Sequence, residues 1–159
     1  MSYNSKKSIV SMAAGVMIVV FYVVYVLGGS APVSDDIQSW AKLMLVFIGI
    51  GVGAVIIIQI LFHIALSIGI AVKERDQDEK TIERIISSTV FEDERDKIVG
   101  LKALRVGYIV AGLGFAAALI SLAAGVSVVV ALHIMAGAFA AGSLAEGGVS
   151  IYLFEKGDA

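Results

Sequence analysis

The chain of 159 residues has no cysteine, a single proline and little charge. Without cysteine it can form no disulfide, no thiolate metal site and no cysteine nucleophile. Its only proline is Pro32, so no long apolar run contains the residue that most often breaks a helix. Charged residues make up 16% of the chain, against about a quarter in a soluble domain, and the net charge of -2 offers nucleic acid no basic field. Recognisable catalytic signatures are missing as well. There is no G-x-x-x-x-G-K-S/T phosphate loop, no H-E-x-x-H, no G-x-S-x-G elbow and no pair of carboxylates on one apolar helix. Matched Gly/Pro breaks in the two halves, a mark of transporter sites, are also lacking. The expectation is a protein that is not an enzyme and has no cofactor.

What is present is apolar surface. Hydrophobic residues form 58% of the chain and mean hydropathy is +0.93, which places it among integral membrane proteins. About 20 apolar residues at roughly 1.5 Å each cross about 30 Å of hydrocarbon. Four runs meet that requirement, at about 8–27, 43–72, 106–124 and 126–154, within one membrane domain covering 1–159. The first run is longer than the roughly 7 to 15 residues of a signal-peptide core and is followed by Pro32, so it reads as a retained helix. Tyr22, Tyr25 and Trp40 suit a membrane interface, and Ser34, Asp35 and Asp36 read as a cap and first turn for the second helix. The fold class expected is an all-α, integral membrane four-helix bundle. The third and fourth helices form a tight antiparallel hairpin around Gly125.

Four spans put both termini and the 73–105 segment on one side. That side carries eleven of the twelve Lys and Arg residues, and only Lys42 lies opposite, so both termini are expected in the cytoplasm (N-in, C-in). The location implied is a plasma (inner) membrane.

Residues 73–105 form the only long hydrophilic block, with eight basic and nine acidic residues, too balanced for a polybasic lipid-binding patch. Asp76 with Lys80 and Asp93 with Lys97 have the acid-first i,i+4 order that supports a helix. Ile82, Ile85, Ile86 and Val90 recur at helical spacing and give this cytoplasmic segment an apolar stripe suited to its own bundle, to headgroups or to a partner protein. Ser87, Ser88 and Thr89 weaken that helix. Asp93 can cap a second one that runs into the third span.

The run Asp93-Glu94-Arg95-Asp96, followed by Leu101-Lys102, Arg105 and Tyr108, resembles an uncharacterised family of small bacterial four-span membrane proteins. Ala145-Glu146, Tyr152 and Gly157 at the end of the fourth run extend the similarity. Where basic residues are expected after the final Tyr, this chain has Phe154-Glu155-Lys156. The resemblance implies an architecture and no activity.

Few polar residues fall within the spans: Gln59, His63, His133 and Glu146. An ionisable group at membrane depth is costly and needs a partner or a wet site. In a hairpin turning near Val126, Glu146 lies level with Val106, so it is expected to form a structural ion pair with Arg105 or Lys102 near the cytoplasmic interface. The alternative role for Glu146 is an ion or proton relay. His63 and His133 differ in depth by too much to ligate one haem iron within a protomer. Small residues are abundant: Gly49 with Gly53, Ser121 with Gly125, Gly137 with Ala141 and Ala138 with Gly142 all have the spacing that lets helix backbones meet. The reading favoured is a non-enzymatic subunit of a homo-oligomer or membrane complex, with the lipid bilayer around it. The alternative is a small transporter or channel using Glu146, His63 and Gln59.

Overall fold

The computed structural model of the chain describes residues 3–32, 36–73 and 94–156. These residues form an all-α four-helix bundle: α1 (Tyr3–Tyr25), α2 (Ile37–Lys73), α3 (Glu94–Ala123) and α4 (Val128–Lys156). Each contains a stretch long and apolar enough to cross a membrane. By length and composition the four helices suit a multi-pass membrane protein. The isoleucine stripe of Ile82, Ile85, Ile86 and Val90, the Asp76/Lys80 pair and the proposed cap Asp93 lie outside the described residues.

Local sequence explains where the helices stop. Helix α1 runs into a wider helical turn, Val26–Ser30, in which Gly29 takes φ 83°, a conformation open to glycine at little cost. Asp36 caps α2: its Oδ1 accepts from the backbone N–H of Gln38 at 3.1 Å and of Ser39 at 3.2 Å, and its Oδ2 accepts from the Ser39 hydroxyl. At the other turn Gly125 has φ 79°. Its N–H donates to Leu122 O at 3.0 Å and the Val126 N–H donates to Ser121 O at 3.0 Å, a Schellman ending. Ser127 then caps α4, its hydroxyl accepting from the Val130 N–H at 3.4 Å.

The hairpin of α3 and α4 has the most extensive interface, and glycine is the reason. A Cβ at Gly142 would lie 2.8 Å from the Gly107 carbonyl oxygen, and one at Gly107 would lie 3.1 Å from the Gly142 oxygen. A Cβ at Gly114 would collide with the Ala138 methyl. The two backbones therefore touch along a ridge of small residues on α3, Ala103, Gly107, Gly114 and Ala118, facing Ala131, Ala138 and Gly142 on α4. Helix α1 packs on α4 and α2 packs on α1, while α2 and α3 share no substantial interface.

Of the glycines expected to pack helices, Gly142 does so. Among the described residues a Cβ at Gly49, Gly53 or Gly137 meets nothing within 4 Å. The reason is angular. On α2 it is Gly51 that faces α1, with Ile18 3.5 Å from its virtual Cβ, and a two-residue step turns about 200° around the helix, which sends Gly49 and Gly53 outward.

Two measurements follow. Gly142→Leu is expected to lower stability by about 1–3 kcal/mol or more through overpacking, whereas Gly137→Ala stays within about 0.5 kcal/mol, both read by thermal unfolding in mild detergent. Hydrogen bonding to Ser39 holds the Asp36 carboxyl below its ordinary range, so the cap stabilises α2 above the unfolded value of 3.8 and is lost as pH falls through the lowered folded value. Asp36→Asn keeps a capping oxygen without the titration, so its acid-side loss of stability is expected to be shallower than that of the wild type.

Candidate functional site

Polar side chains gather at two levels of the bundle. At the end shared by the N- and C-termini, α1, α2 and α4 are joined by hydroxyl and amide groups. Ser8 Oγ and Ser150 Oγ are 3.2 Å apart, and Gln59 Nε2 donates to Ser11 Oγ at 3.5 Å. Packing on the same side is close, since a Cβ at Gly147 would lie 3.4 Å from the Met12 Cβ. These helices, with α3, surround a cleft of about 900 Å³ whose polar lining includes Lys7, Gln59, Asp96, Lys97, Glu146 and Ser150. Its apolar lining, Met12, Ile18, Val19, Val55 and Leu101 among others, continues toward the middle of the bundle. Helices α1 and α4 form the floor of the cleft. Among the described residues its flanks, α2 and α3, do not close over it.

Glu146 is partly buried in this cleft, its Oε2 3.2 Å from the position a Cβ on Gly107 would take. Its depth therefore matches the expectation of a level with residue 106. Its face does not. Among the described residues no ion pair within 4.0 Å joins Glu146 to Arg105 or Lys102. Gly107 faces α4, and at 100° per residue Arg105 and Lys102 stand about 160° and 140° away around α3, on its exposed side. The bases that share the cleft with Glu146 are Lys7 and Lys97. Sequence spacing held this signal, because Asp96 and Gly100 fall within about 20° of Gly107 on the helical wheel and Lys97 about 80° away.

At the opposite end an aromatic cluster surrounds His133. The backbone carbonyl of Val129 can only accept, so at 2.7 Å it fixes the proton on His133 Nδ1 in the neutral ring. Nε2 is then an acceptor for the Tyr22 hydroxyl at 3.0 Å. Trp40 meets the imidazole in a T-shaped contact at 4.7 Å, and Phe47 does the same to Tyr22 at 5.1 Å. Trp40 is only 6% exposed, and among the described residues its Nε1 has no hydrogen-bond partner.

His63 lies elsewhere. Its carbonyl accepts from the Ser67 hydroxyl at 3.0 Å, and it sits one turn beyond Gln59, which places it roughly 20 Å along the bundle from the Tyr22 level. It does not line the polar cleft. Among the described residues no group of three or more His, Asp or Glu side chains is arranged to hold a metal ion.

Comparison of the chain with protein-family models, with curated proteins and with solved structures finds no match.

Removing the Tyr22 hydroxyl tests the second cluster. Tyr22→Phe is expected to cost about 0.6 kcal/mol, the average of hydrogen bonds between membrane helices, and Tyr22→Ala several times more through lost ring packing. Equal losses for the two variants would contradict the packing described.

Proposed function

We propose that this protein is a non-enzymatic, four-span subunit of a homo-oligomer or larger complex in a bacterial inner membrane, with both termini cytoplasmic. The observation that carries the reading is α2. Its 33-residue spanning stretch has no buried residue in its most apolar window, and a Cβ at Gly49 or Gly53 would meet nothing within 4 Å among the described residues. Lipid covers apolar side chains well, but a small-x-x-x-small pair gains most from another backbone brought close to it. Gly137 and Ala141 repeat that arrangement on the exposed side of α4. The eleven-to-one distribution of basic residues supports the cytoplasmic placement of the termini. Ser8 with Ser150, Tyr22 with His133 and Gln59 with Ser11 form hydrogen-bonded pairs that tie the helices together. The resemblance through Asp93, Glu94, Arg95 and Asp96 adds an architecture to this proposal and no activity.

One observation favours a second reading, a small transporter or channel. Glu146 and Gln59 share a polar cleft at membrane depth, where ionisable groups are expensive and functional roles are common. His63, part of the sequence-based path, does not line it.

Molar mass in mild detergent distinguishes the two. The subunit reading expects an oligomer or a retained partner, reduced to the bare chain by Gly49→Leu with Gly53→Leu. A wild type that is monomeric and carries no partner, together with ion flux in vesicles abolished by Glu146→Gln, would replace it with the transporter reading.

A further inference from the structure

The polar cleft has the polarity profile of a single lipid molecule standing in one leaflet. Counting about 20 residues back from Ala123 at roughly 1.5 Å each puts the hydrocarbon edge near Leu104 on α3. Glu146, level with Gly107, lies about 5 Å inside that edge. Ser150, paired with Ser8, is one turn farther out, at the edge itself, and Lys7 stands just beyond it. Lys97 begins about 10 Å beyond the edge, within reach of the headgroup layer for a long side chain that can bend back. Deeper in, the lining is Ile18, Val19 and Val55. The order along the cleft is thus apolar wall, hydrogen-bonding belt, then two ammonium groups with the Asp96 carboxylate beside them.

We propose that the cleft binds a single-chain phospholipid. Its phosphate sits between Lys7 and Lys97, its free glycerol hydroxyl donates to the Glu146 carboxylate, and its one tail lies along Ile18, Val19 and Val55. Three observations select this class. Charge is the first: Lys7 and Lys97, with Asp96 next to Lys97, line the headgroup end of the cleft and suit a zwitterionic phosphate headgroup. Chemistry at the belt is the second. Ester carbonyls only accept and would be served by Ser11 or Gln59, whereas a carboxylate needs a donor, which a free hydroxyl supplies and a second ester does not. Access is the third, since among the described residues α2 and α3 leave the cleft open and a lipid can enter sideways from the leaflet. This inference is independent of the subunit reading.

Native mass spectrometry of the detergent-solubilised protein with added lipids tests it. The probes are lysophosphatidylethanolamine, the corresponding two-tailed phosphatidylethanolamine, and uncharged monoacylglycerol. A saturable one-to-one adduct is expected for the first, in preference to both others. Glu146→Leu is expected to reduce the one-tail over two-tail preference about tenfold, the size of one hydrogen bond to a charged group. Lys7→Met with Lys97→Met is expected to remove the preference over monoacylglycerol instead. Glu146→Gln, which keeps the shape of the side chain, serves where Glu146→Leu does not fold, and is expected to shift the ratio in the same direction. Adducts that follow random statistics, or preferences unchanged in all these variants, would overturn the proposal. Displacement of the lipid by an equal concentration of soluble glycerophosphoethanolamine would also overturn it, because the tail would then contribute nothing.

Discussion

The bundle depends on the backbone contact between Gly107 of α3 and Gly142 of α4. Inside a bilayer, lipid tails compete with every apolar side chain, so helices gain most where their backbones come close enough for dense van der Waals contact. Here each glycine faces the other's carbonyl oxygen, and Gly114 over Ala138 continues the contact two turns farther along. The Schellman ending at Gly125 and the Ser127 cap bring the two helices back side by side in register with that ridge.

That contact determines what Glu146 can do. Its side chain starts one turn beyond Gly142 and meets α3 at Gly107, where no side chain is available to pair with it. The carboxylate is left at the border of a cleft floored by α1 and α4, with serines, Gln59 and two lysines around it. The same pair of helices holds α1 at the other end through His133 and Tyr22, where both imidazole nitrogens are hydrogen-bonded and rings surround them. One end of the bundle is therefore closed and aromatic, and the other is open and polar.

How much of this could be read in the sequence depends on which physical quantity each feature needs. Hydropathy alone is enough for helices that must cross hydrocarbon, so the four-helix, all-α bundle was legible, as was the turn at Gly125. Depth was legible too, because a fixed rise per residue places Glu146 level with residue 106. The face was harder. Arg105 and Lys102 share the depth of Glu146 but point away from it, and the angle matters only once Gly107 is known to be the residue against α4. Small-residue spacing fits Gly137 with Ala141 as well as Ala138 with Gly142, and only the packed structure separates the outward pair from the inward one. Asp36 caps α2 because its carboxylate reaches two backbone N–H groups at once, while Ser34 and Asp35 lie outside the described residues. Trp40 is buried because His133 arrives from a helix more than ninety residues later, a contact no local pattern encodes.

Because the chain has no cysteine, a paired cysteine cross-link tests the orientation of α4 without background. The virtual Cβ of Gly147 is 3.4 Å from the Met12 Cβ, close to the separation of about 3.5–4.5 Å that a disulfide bridges. Oxidation of Met12→Cys with Gly147→Cys in membranes is predicted to lock α1 to α4, while Arg105→Cys with Glu146→Cys stays reduced. The reverse pattern would place Glu146 on the Arg105 face of α3 and contradict the account.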